Sequence, residues 1–128
     1  MSQKEYFDRT KGKGILATAD SQGNVDAAPY AKPFFIEEDT VAFIMADRMS
    51  HRNLNSNSHA AYLFLEDKNS FKGKRLFLTK IREEKNAERI DELRRSRNYA
   101  SQGRIYDEDS YLVYFSVDKV TPLIGRGE

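Results

Sequence analysis

Cysteine is absent from this 128-residue chain, so no disulfide braces it and a thiolate metal site is excluded. His51 and His59 are then the only nitrogen ligands on offer, and their spacing matches no metal-binding pattern. Neither sign of charge is in surplus, with 21 Lys and Arg against 20 Asp and Glu, so no nucleic-acid or membrane partner is expected. No apolar run approaches the length of a bilayer span, and the start, Met1-Ser2-Gln3-Lys4-Glu5-Tyr6-Phe7-Asp8, lacks the apolar stretch of a signal peptide. A cytoplasmic location is therefore expected. Motifs for protein-only catalysis are also missing: no cysteine nucleophile, no Gly-x-Ser-x-Gly, no phosphate loop and no His-Glu-x-x-His. Gly12-Lys13-Gly14 and Gly125-Arg126-Gly127 are lone Gly-x-Gly triplets without the strand, helix and third glycine of a dinucleotide site. The length suits one domain covering 1–128.

What is present is a series of short strands. Residues 3–10 suit a short helix with Tyr6 and Phe7 as its apolar contacts. Residues 15–19 read as a strand, and Asp20-Ser21-Gln22-Gly23-Asn24 as a tight turn into a second strand from Val25. Pro29 and Pro33 cannot donate to a ladder, so that second strand should be an edge, bulged or bent. Residues 40–46 are apolar with little alternation, which implies burial on both faces. Residues 50–57 suit a short helix with Ser50 as its N-cap. Residues 60–66 and 75–82 read as strands joined by a long hairpin loop, residues 86–97 as a helix capped by Asn86, residues 99–109 as irregular, and 111–117 as a strand extended by 120–124. The expected fold is mainly β with peripheral helices: a six-stranded antiparallel split β-barrel of Greek-key type.

Two segments carry candidate chemistry. Asp47-Arg48-Met49-Ser50-His51-Arg52-Asn53 sets two guanidinium groups, a hydroxyl and an imidazole at a helix start. Amides at such a start point towards an anion, and guanidinium groups pair with phosphate oxygens. The same residues also suit an ordinary solvated helix start. In Ala28-Pro29-Tyr30-Ala31-Lys32-Pro33, small side chains leave room for a flat ring against the backbone, and a distorted edge strand with Lys32 as a protective charge fits equally. The arginines of 89–97 alternate with Glu88, Asp91 and Glu92, as on a salt-bridged helix surface. Tyr62, Phe64, Phe77, Tyr114 and Phe115 sit at strand spacing, which suits core or interface.

The hairpin from Gly14 to Tyr30, the Val-Ala-Phe-Ile-Met-Ala strand, the Arg48-Met49-Ser50-His51-Arg52-Asn53-Leu54 turn and the corner and strand Asn57-Ser58-His59-Ala60-Ala61-Tyr62-Leu63-Phe64 together resemble the pyridoxamine 5'-phosphate oxidase-like FMN-binding split β-barrel family over residues 14–82. The resemblance implies a homodimer with FMN at the subunit interface. It would place phosphate at Arg48, Ser50, His51, Arg52 and Asn53, the ring along Pro29, Tyr30, Ala31 and Lys32, backbone contacts at Met45 and Ala46, and Arg75 or Lys74 nearby. The family's Ser-Arg-Lys-type run fits either Arg48-Met49-Ser50 or Ser50-His51-Arg52. The long substrate-binding extension of the true vitamin B6 oxidases is lacking, so pyridoxamine phosphate is not assigned as substrate. The implied function is a flavin-dependent oxidoreductase acting on a small molecule with an electron donor such as NAD(P)H. A non-catalytic carrier of FMN or haem, and a cofactor-free barrel serving as an interaction surface, are the alternatives.

Overall fold

The structure, a computed structural model, describes residues 1–97 and 110–125. The irregular stretch expected at 99–109 and the Arg126-Gly127 tail lie outside the described residues.

Ser2 caps α1 (Gln3–Arg9) by accepting from the Glu5 amide, and the helix buries Phe7. β1 (Gly12–Ala19) alternates buried and exposed residues, with Leu16 and Thr18 turned inward. At the following turn Asp20 accepts from the Gln22 and Asn24 amides, each at 2.9 Å, and Gly23 takes φ 85°, which a residue without a Cβ adopts freely. β2 (Val25–Pro29) returns antiparallel to β1.

Here the structure corrects the sequence-based expectation. The second strand does not continue as one bent element: it stops at Pro29, and a separate β3 (Phe34–Glu37) begins after Pro33. β3 pairs with β4 (Thr40–Met45), so the described residues form seven strands rather than six. After α2 (Met49–Ser56) come β5 (His59–Glu66), β6 (Gly73–Glu84), α3 (Ala87–Ser96) and β7 (Tyr111–Pro122). All strands join one antiparallel sheet in the order β2-β1-β5-β6-β7-β4-β3, with β2 and β3 as its two edges.

That order dictates curvature. Laid flat, seven strands spaced ~4.8 Å apart would hold the edges about 29 Å apart. The link from Pro29 to Phe34 spans five Cα steps, which reach at most about 18 Å when extended. The sheet must therefore curl until its edges approach. The hollow is filled by Leu16, Phe43, Met45, Tyr62, Phe64, Leu76, Leu78 and Phe115, all buried. Phe43 packs on Tyr62 of β5 across the hollow at 5.2 Å and on Phe115 of the neighbouring β7 at 5.7 Å between ring centroids. α1 packs between β3 and β5: Phe7 stacks on Phe35 of β3 at 5.6 Å and meets Phe64 of β5 edge-on at 5.0 Å.

A smaller cluster of Ala42, Ile90, Leu112 and Tyr114 lies beneath α3, whose Asn86 cap accepts from the Arg89 amide as expected. It covers the other face of β4, so β4 is apolar on both faces because both are buried. No helix among the described residues is long and apolar enough to cross a membrane.

Candidate functional site

α2 closes one end of the curled sheet, packing on β1 and β2. Its start differs from expectation: Arg48, not Ser50, is the N-cap, and its side chain makes no capping bond. The first helical bond runs from the Arg52 amide to the Arg48 carbonyl at 3.0 Å, so the amides of Met49, Ser50 and His51 precede it without a helical acceptor. Ser50 is spared capping because it is needed elsewhere. Its buried hydroxyl donates to Asp26 of β2 at 3.2 Å and also meets the Tyr30 phenol.

The residues from 48 to 53 divide by orientation. Arg48 and Arg52, one turn apart, are exposed, and neither forms a salt bridge among the described residues. His51 and Asn53 face inward. The Asn53 amide donates to the Thr18 hydroxyl at 3.1 Å, fastening α2 to β1. His51 is 3% exposed, stacked on Tyr111 at 4.2 Å, with Nδ1 2.9 Å from Asp47 and Nε2 2.9 Å from Glu83. Both ring nitrogens are thus committed to carboxylates, so His51 fixes α2 to β6 and does not face an incoming anion. The His51 hydrogen bond holds the Asp47 carboxyl below the usual carboxylate range.

The remaining expected residues are spread more widely. Met45 is fully buried at the end of β4, and the next carbonyl, that of Ala46, accepts from the Arg48 amide at 2.8 Å. Both therefore lead directly into the arginine turn. Pro29 and Ala31 are exposed, and Tyr30 is half-buried with its ring edge-on to Phe43 at 5.9 Å. Burial pushes the Tyr30 phenol up, which keeps it protonated at neutral pH. Lys32 turns to α1, donating to the carbonyls of Phe7 at 2.7 Å and Thr10 at 3.1 Å; burial, then Arg97, pushes its ammonium pKa down. Arg97 donates to the Lys32 and Pro33 carbonyls, so the crossover is clamped from two helices. Arg75 faces β7, donating to the carbonyls of Pro122 at 3.0 Å and Gly125, and Lys74 donates to Gln3 at 2.6 Å. The structure thus gathers Tyr30, Met45, Ala46, Arg48, Ser50 and Arg52, while Lys32 and Arg75 hold other parts of the fold. Sequence reasoning missed Asp26, Thr18, Glu83 and Tyr111, which position these groups through long-range pairing that leaves no local signal.

Burial pushes the Glu83 carboxyl up, but hydrogen bonds from Lys80 and His51 outweigh it and hold the group below the usual carboxylate range. A carboxyl depressed by folding stabilises the fold above its unfolded pKa, and that contribution disappears as pH falls through the folded pKa. Urea midpoints of wild type and Glu83→Gln should therefore differ at neutral pH and converge in acid, below the ordinary glutamate range. Midpoints that stay parallel across that window would show that the clamp adds nothing to stability.

No protein-family model matches the sequence, and no curated protein matches it. Solved structures do. An FMN-binding protein from Syntrophomonas wolfei superposes with a TM-score of 0.76 at 16% identity, covering 96% of this chain and 84% of that one. An F420 reductase gives 0.68 at 15% identity, covering 94% and 98%. A Clostridium acetobutylicum protein related to general stress protein 26, of the pyridoxinephosphate oxidase family, gives 0.64 at 14% identity, covering 92% and 83%. At such identities the likeness is one of architecture. The curled seven-stranded sheet of the described residues has the split-barrel fold of these pyridoxamine 5'-phosphate oxidase-like structures.

Proposed function

We propose that this chain binds FMN as a homodimer and works as a flavin-dependent oxidoreductase on a small molecule. The observation that carries the proposal is the pair of exposed guanidinium groups, Arg48 and Arg52, beside three helix-start amides. Positive charge with no carboxylate at salt-bridge distance among the described residues, next to oriented N–H groups, fits a phosphate. Ser50, His51 and Asn53 contribute by holding that turn rigid, since their side chains are already engaged. A bound flavin would supply electron transfer, and the protein's part is to fix its position and exclude water.

The outer face of the sheet supports a dimer. Val25 is 82% exposed and Ile15 37% exposed, and Ala17 and Ala27 lie beside them. An apolar sheet face of this kind is stable in water when covered, and a second copy brings an identical apolar face to it.

The purified protein should be yellow or take up FMN at micromolar concentration, and sedimentation should show a dimer. Dye that stays free in solution would exclude the cofactor, and a monomer would exclude an interface site. Bound flavin that neither NADH nor NADPH reduces would indicate a carrier without turnover.

A further inference from the structure

We propose that His59 is a proton-accepting site for a ring N–H of a planar heterocycle lying on the outer face of the sheet; the choice of ligand class rests on the flavin assignment. The strand registers build a floor for such a ring. Ala27 pairs with Ala17, Ala17 with Ala61, Ala61 with Phe77 and Phe77 with Lys119, so one row crosses five strands with three alanines side by side. Their short side chains leave a flat apolar step. Phe77 bounds it, with the Lys119 ammonium drawn over the ring at 5.7 Å.

The neighbouring row on the same face is polar: His59 pairs with Thr79, Thr79 with Ser116 and Ser116 with Thr40. His59 stands two residues from Ala61, so both project from the same side of β5. Its backbone amide donates to the Asn57 side chain at 3.0 Å, which sets where the strand begins. The Thr79 hydroxyl donates to Asp118 at 2.5 Å, and Ser116 donates to the other oxygen of that carboxylate at 2.8 Å.

This arrangement selects a tautomer. A hydroxyl has one hydrogen, and Thr79 spends it on the charged acceptor Asp118. The contact between His59 Nδ1 and Thr79 Oγ1, at 3.3 Å, is then made with the hydrogen on Nδ1. The lone pair of the neutral ring is thereby placed on Nε2, on an exposed side chain beside the alanine row. When Nε2 takes a proton from a ring N–H, the N–H bond breaks and its electron pair stays on the ring as a delocalised anion, an Nε2–H bond forms, and the imidazolium charge is stabilised through Thr79 by Asp118. Flat apolar floor and fixed acceptor together select a conjugated ring with an acidic N–H.

The test uses the full chain and lumichrome, a bare flavin-type ring with N–H groups and no phosphate. Long-range proton–nitrogen NMR should find the His59 hydrogen on Nδ1. Thr79→Val and Asp118→Asn should release that preference, and Thr79→Ser should keep it. Saturation with lumichrome should move the His59 Nε2 resonance, and His59→Gln should weaken lumichrome about tenfold, a change of the size one hydrogen bond contributes, while its amide spectrum stays that of a folded chain. A hydrogen on Nε2 in the free protein, no lumichrome binding, or an unmoved Nε2 at saturation overturns the proposal. If lumichrome moves Nε2 but FMN binds no more tightly than riboflavin, the ring site stands and the phosphate assignment of Arg48 and Arg52 falls.

Discussion

Changing Arg48 and Arg52 together to alanine is expected to weaken FMN about a hundredfold while leaving riboflavin binding unchanged. Each guanidinium that donates to phosphate contributes about 1.5–3 kcal/mol, and every 1.4 kcal/mol is a factor of ten, so losing both gives at least two decades. Riboflavin carries the same ring and side chain without the phosphate, so it reports the rest of the site. The substitutions are safe for the fold: both side chains are exposed, and neither forms a salt bridge among the described residues. Fluorescence titration with the two ligands decides the matter. Equal weakening of both would place the phosphate elsewhere or show that the turn has deformed. The wild-type preference for FMN should also shrink as salt rises, because exposed charges are screened within about 10 Å at 0.1 M ionic strength.

The largest expected loss of stability comes from a residue far from that turn. Phe7 is fully buried and packs among Tyr6, Phe35 of β3, and Tyr62 and Phe64 of β5. Phe7→Ala should cost about 3–5 kcal/mol, the usual range for a large core aromatic. Total stability of about 5–15 kcal/mol is typical of a domain, so the variant stands near the threshold of folding. The cavity would also lie where α1 packs between β3 and β5, so the crossover that Lys32 ties to α1 loses its support. Denaturant titration of wild type, Phe7→Ala and Phe7→Leu should rank them in stability as wild type, leucine, alanine. An alanine midpoint equal to wild type would mean that α1 is not part of the cooperative unit.

Legibility from sequence tracked the range of each interaction. The Asp20–Asn24 turn and the Asn86 cap were readable because both are satisfied within four residues. The doubly buried character of β4 was readable from composition, since covering both faces removes the alternation. The break into β2 and β3 was half readable. Two prolines said where a ladder fails, but not that the chain restarts at the opposite edge, because pairing between distant strands has no local mark. The turn at Arg48 was legible as anion chemistry by residue type, yet its division into outward arginines and inward His51 depends on Glu83, 32 positions on. Ser50 shows the same limit: its type suits a cap, but Asp26 across the β2 contact claims its hydroxyl.

The place of β7 in the sheet has a consequence for synthesis. It lies between β6 and β4, and among the described residues β4 pairs on its far side with β3. Until residues 111–122 have left the ribosome, the β2-β1-β5-β6 ribbon and the β3–β4 hairpin share no ladder. The nascent chain must keep two unpaired edges apart from each other and from neighbouring polysomes, an interval in which holding chaperones act. β7, made after the other six described strands, joins the two halves into one sheet.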